Sequence, residues 1–151
     1  MKMDSVNVNF GAKFRYKDAD TIASIAKKAT GPQYHGLLGL KQDLVQIGDD
    51  KIVEHSIAHK SRYGKEKIGN LSSKVFRLVT TFKKYQQDNA PAYTLKSKSL
   101  SLDEIKKQAQ DFVKVAETAL HHNLSQEEIN KVGAKPELVE RYAALKSSQT
   151  L

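Results

Sequence analysis

Cysteine is absent from this sequence, which excludes disulfides, thiolate nucleophiles and thiolate zinc sites. Only histidine and carboxylate side chains remain as metal ligands, and neither a metal nor a cofactor is expected. No apolar run approaches the ~18 residues that would span a bilayer. The opening MKMDSVNVNFG also lacks the apolar segment of a secretory signal, so a soluble, cytoplasmic protein is expected. Phosphate-binding loops and dinucleotide fingerprints are missing as well. Acidic residues are scarce in one place. Residues 61–100 carry 9 Lys and Arg against 2 Asp and Glu, whereas 1–60 carry 9 against 7 and 101–151 carry 7 against 8. The net charge of +8 is therefore concentrated in the middle of the chain, and the positive field it makes should be local to one part of the surface.

What is present suits one domain. The 151 residues are 39% hydrophobic and 28% charged, enough apolar material for a single core. The expected class is α+β over 1–151: an α+β part in 1–60 with a small antiparallel sheet, a basic connector and helix in 61–90, and a mainly helical part in 100–147.

Period-two alternation of Val6, Val8 and Phe10, resuming after Gly11 with Phe14 and Tyr16, predicts a bent strand or two short ones. Ile22, Ile25, Ala26 and Ala29 then recur at helical spacing, and Gly31-Pro32 stops that helix. In DLVQIGDDKIVEHSIA two strands are expected around a Gly48-Asp49-Asp50 turn, because Gly36 and Gly39 disfavour a helix through the preceding leucines. Leu71, Val75, Leu78, Val79, Phe82 and Tyr85 are spaced for an amphipathic helix ending near Gln87. A polar connector follows, with a short extended piece at Tyr93 to Leu95.

Two capping signals mark helix starts. Ser101 with Glu104 and Ser125 with Glu128 each have the spacing of a capping box, and Leu100 and Leu124 can staple onto Ile105 and Ile129. The first helix, about 102–122, should bury Ile105, Ala109, Phe112, Val113, Ala116 and Leu120. The second ends at Gly133. Pro136 sits at the first position of a last helix with Leu138, Val139, Tyr142 and Leu145 as its apolar face.

The chemistry-bearing residues cluster at EHSIAHKSRYGKEKIG. His55 and His59 lie four apart, a spacing that shares one ion on a helix but sets the pair some 13 Å apart along a strand. As an acid/base pair they would act beside Lys60 or Arg62, the residue types that metal-free phosphodiester cleavage needs. Lys60, Arg62, Lys65 and Lys67 flank Tyr63 and Gly64, and Lys74, Arg77, Lys83 and Lys84 follow. Cations near an aromatic and a flexible glycine suit phosphate contacts with optional base stacking. The segment LSQEEINKVGAKPELVERYAALK has the form of a helix-turn-helix. Its second helix offers Glu137, Glu140, Arg141 and Lys146 with no net charge, which favours helical-hairpin packing over DNA reading. HGLLG carries a Gly-x-x-Gly spacing without a cation between the glycines. The tail ERYAALKSSQTL resembles, in composition alone, the C-terminal translocation signals of some bacterial type IV secretion effectors.

The expected function is non-enzymatic binding of a polyanion through the basic centre, with nucleic acid the first candidate partner. The rival class is a bacterial protein-interaction regulator, or an effector secreted into a host cell without a cleaved signal, whose basic surface meets an acidic protein or lipid. The third class is a metal-free nuclease.

Overall fold

The structure is a computed structural model, and the residues it describes are 13–16, 40, 42–48, 51–59, 74, 76–85 and 87–149. Strands β1 (Lys13–Tyr16), β2 (Ile52–His59), β3 (Phe76–Lys83) and β4 (Tyr93–Lys96) form one sheet in that spatial order. Helices α1 (Ile105–His121), α2 (Gln126–Val132) and α3 (Pro136–Gln149) follow. The class is α+β. Antiparallel pairing joins β2, β3 and β4, while β1 lies parallel to β2. A parallel pair needs a crossover, and residues 17–51 are long enough to make one.

The expected helix through residues 71–87 is corrected: the segment from Phe76 to Lys83 is a strand. Leu78 and Phe82 are four apart, a spacing that puts two side chains on one face in both periods. Phe76 and Thr80 complete the strand's inner row, and both are fully buried. Val79, on the other face, is buried too, so the strand shows no clean alternation of apolar and polar residues. The β-branched and aromatic run VFRLVTTF fits a pleated surface, and pairing on both sides with β2 and β4 decides the outcome. Tyr85, expected on the helix's apolar face, is 53% exposed beyond the strand end.

A second correction concerns the first strand expected in DLVQI. Residues 42–44 are helical, and the Ile47 N–H donates to Asp43 O at 3.2 Å. Leu40 and Leu44, one helical turn apart, both enter the core, whereas Val45 turns outward. The described helical residues, 40 and 42–44, carry no glycine. Gly48 then reverses the chain at φ +82°, with the Lys51 N–H donating to its carbonyl at 2.9 Å. A Cβ there would lie 3.2 Å from Val113 Cγ2 and 3.3 Å from Val53 Cγ2, so the turn needs glycine for both its φ and its close approach to α1.

One contiguous core joins the sheet and the helices among the described residues. Register partners Val53 and Phe82, Ile57 and Leu78, and Phe82 and Tyr93 line its sheet side. The Phe82 and Tyr93 rings meet at 6.3 Å between centroids, tilted by 50°, a cross-strand aromatic pair of the kind that stabilises sheets. Helix α1 lays Ile105, Ala109, Phe112, Val113, Val115, Ala116 and Ala119 against them. Leu120, expected in this row, is half-buried. Each large side chain fully buried here contributes about 1.5–3 kcal/mol relative to exposure.

The C-terminal helices begin as their capping chemistry demands, with one exception. At α2 the box is complete: the Glu128 N–H donates to Ser125 Oγ at 3.1 Å and the Ser125 N–H to Glu128 Oε1 at 2.9 Å. Gly133, at φ +106°, ends that helix. At α1 only the carboxylate half forms. The Ser101 N–H donates to Glu104 Oε1 at 2.9 Å, but the Ser101 hydroxyl donates to Asp103 and Glu104 instead of accepting. A 3-10 turn over Leu102–Glu104 leads the Glu104 N–H to the Ser101 carbonyl, which leaves the hydroxyl no cap to make. Pro136 opens α3, whose Val139 and Ala143 are buried, while Leu145 is 58% exposed and does not belong to the apolar face expected for it. The strand and helix expected at 5–10 and 20–30, the Gly31-Pro32 stop, HGLLG, Leu71 and Val75 lie outside the described residues.

Candidate nucleic-acid interface

Alternation along β3 builds the outer face of the sheet. Phe76, Leu78, Thr80 and Phe82 point into the core, so Arg77, Val79, Thr81 and Lys83 occupy the opposite side. Val79 pairs with Lys96 and Thr81 with Thr94 across the β3–β4 ladder. Arg77 and Lys96 are therefore diagonal neighbours on one face, about 7–8 Å apart by strand geometry, and both are exposed. Lys83 is half-buried on the same face. No ion pair between described residues engages Arg77, Lys83, Lys84, Lys96 or Lys98, whereas Lys74 Nζ lies 3.3 Å from Glu104 Oε2. Among the described residues one carboxylate shares this face: Glu54 sits on β2 opposite Thr81.

Beyond Lys83 the hairpin tip carries Lys84 and Tyr85, with the ammonium 5.5 Å from the ring centroid. Lys60, Arg62, Tyr63, Lys65 and Lys67 lie outside the described residues, between β2 and β3 in sequence. Lys96 and Lys98 were not singled out from the sequence. They belong to the same charge-rich stretch, but with residues 71–87 read as a helix nothing set Lys96 beside Arg77.

The two histidines separate in role. His55 is fully buried, on the inner face of β2. Its Nε2 lies 3.0 Å from the Ile47 carbonyl, which can only accept, so Nε2 carries the proton. Nδ1 then accepts from the Thr80 hydroxyl at 3.0 Å. Both ring nitrogens are thus engaged, and the imidazole ties the turn before β2 to β3. Burial pushes its pKa down, opposed by the Ile47 carbonyl. His59 ends β2 opposite Phe76 in the register, and its side chain lies outside what is described.

Elsewhere, His121 and His122 meet edge to face at 4.9 Å between centroids where α1 ends. Among the described residues no group of three or more His, Asp or Glu could hold a metal ion. No helix among them is long and apolar enough to cross a membrane.

A groove of about 700 Å³ runs between β4 and α2. On its wall the Gln126 carboxamide accepts from the Thr94 N–H at 2.7 Å and donates to Asn130 Oδ1 at 2.9 Å. In the helix-turn-helix segment, Val139 and Ala143 are buried and α3 packs on α1. Glu128 accepts from Tyr142 Oη at 2.5 Å and from Lys146 Nζ at 2.8 Å. This is helical-hairpin packing. Of the tail, residues Glu140 to Gln149 form the end of α3. Family models, curated proteins and solved structures give no match to this chain, so its chemistry rests on its own geometry.

Proposed function

We propose that this is a non-enzymatic binding protein that engages a polyanion, nucleic acid first, through the outer face of β3 and β4 and the basic stretch 60–67 that precedes β3. The observation that carries this reading is the juxtaposition of Arg77 and Lys96, two exposed cations from different strands on one sheet face. Residues 74–100 hold six basic side chains and one acidic one, so even with Glu54 on the neighbouring strand phosphates approaching this face meet an excess of positive charge. The buried, doubly bonded His55 supports a binding role over acid/base catalysis, because a general base must reach the proton it takes.

Comparison of paired variants tests the assignment. Arg77→Gln with Lys96→Gln should weaken binding to oligonucleotides and flatten the salt dependence by about two contacts, roughly 0.9 per phosphate on duplex. Arg62, Lys65 and Lys67 replaced together by Gln should remove about three more on the same basis. Lys131→Gln with Lys135→Gln, on α2 and the turn after it, should change neither affinity nor slope. Equal losses from both pairs would contradict the reading. Binding confined to an acidic protein or an anionic vesicle would transfer the same face to the rival class.

A further inference from the structure

Among the residues whose side chains are described, Tyr85 is the exposed one of the Phe and Tyr rings; the other large exposed apolar side chains are Val45 and Leu145. It stands two residues past Lys83, at the end of the strand whose outer face carries Arg77. Its position is held from both sides. The Tyr85 N–H donates to Asp88 Oδ2 at 3.1 Å, and the Asp88 N–H returns to the Tyr85 carbonyl at 3.2 Å. This reciprocal pair ties Tyr85 to Asp88, which lowers the backbone freedom Tyr85 loses when a ligand meets its ring. The Lys84 ammonium, 5.5 Å from the ring centroid, sets a cation beside the aromatic surface.

We infer that Tyr85 is a stacking platform for an unpaired nucleobase, so that the protein prefers single-stranded nucleic acid over duplex. The inference rests on the polyanion-binding reading of the sheet face and adds a second type of contact to it. From Arg77 to Lys83 the strand runs about 20 Å. That length lets several phosphates lie along the cations while a base at one end reaches Tyr85. The outer face itself has no aromatic side chain on β3 or β4, so base contact falls to the tip. Lys84 can meet the phosphate of the stacked nucleotide. The Asp88 carboxylate, the one acid of the tip, is already committed to a backbone N–H. In a duplex the bases are stacked on one another and offer no free face, which confines the gain to single strands.

Titration of the whole protein with fluorescent oligodeoxythymidylate, a strand of the same length with abasic sites, and a duplex of matched phosphate number tests this. Tyr85→Ala should weaken oligodeoxythymidylate binding about tenfold without changing the salt slope, leave duplex binding unchanged, and keep the wild-type melting temperature. Tyr85→Phe should retain wild-type affinity. The abasic strand should bind wild type as oligodeoxythymidylate binds Tyr85→Ala. If Tyr85→Ala stays within twofold of wild type while Arg77→Gln with Lys96→Gln still weakens binding, stacking is wrong and the sheet-face reading stands. If neither changes affinity, or no oligonucleotide binds, both are wrong. Tyr85-dependent binding to phosphatidylserine vesicles without any to oligonucleotides would overturn the inference in favour of a lipid surface.

Discussion

A fully buried imidazole is stable only when both ring nitrogens find partners, and His55 finds them in a carbonyl eight residues before it and a hydroxyl twenty-five residues after. Neither partner can be read locally. From the sequence alone His55 and His59 look like a matched pair beside cations, and nothing in EHSIAH distinguishes the one that faces the core. The consequence for stability has a definite sign. Burial lowers the folded pKa of His55 below its ordinary value of 6.5, so the unfolded chain binds the extra proton more readily as the medium acidifies. The stability attached to the neutral ring is complete above about pH 6.5 and is lost as pH falls toward the folded value. Urea unfolding at pH 7.5 and 5.5 should show a loss in the wild type that His55→Gln reduces, even though that variant is less stable at pH 7.5. An unchanged pH dependence in His55→Gln would show that the ring titrates as freely folded as unfolded.

Elements were legible where their cause is local and illegible where it is not. The caps at Ser125 and Gly133, Pro136 at the first turn of α3 and the glycine turn before β2 all depend on a few neighbouring residues. So does the α1 periodicity, which placed all but one of its expected core residues. Strand β3 depends on β2 and β4, distant in sequence, and its polar core residue Thr80 exists to serve His55. That hydroxyl on the inner row and the apolar Val79 on the outer one together break the alternation that would announce a strand. Ser101 shows the limit of motif matching: the spacing of a capping box is present, yet a 3-10 turn takes the N–H that its hydroxyl would have satisfied.

Two consequences follow for the helical half. Ser125→Ala should cost about 1 kcal/mol and Ser125→Gly less, whereas at Ser101 glycine should be no better than alanine. Glu128 joins this cap to α3, and Lys146, then Tyr142, then the Ser125 N–H hold its pKa down to about 2. Because the folded pKa is depressed, the stabilisation is present above the ordinary carboxylate value of 4.5 and is lost as pH falls from there toward 2. In Glu128→Gln the stability change between pH 5 and 3 should be smaller than in the wild type. An identical acid profile in the two would show that the carboxylate contributes nothing to the contact between α2 and α3.

At the scale of the molecule, charge and topology act together. The sequence locates the excess of cations in 61–100, and that needs only counting. Which of those cations share a surface needs the sheet, because Arg77 and Lys96 are nineteen positions apart and become neighbours only through the β3–β4 register. The helical half, with 7 basic against 8 acidic residues in 101–151, packs behind the sheet through α1 and brings no comparable field. The central claim is that this localised charge binds phosphates. The most direct measurement is the affinity of the intact protein for an oligonucleotide as a function of salt, since each phosphate neutralised releases condensed counterions. A linear fall of log affinity with log salt, with a slope of about three or more contacts that the Arg77→Gln, Lys96→Gln pair reduces, is the predicted result. A slope near zero, or one the pair leaves intact, would contradict the account.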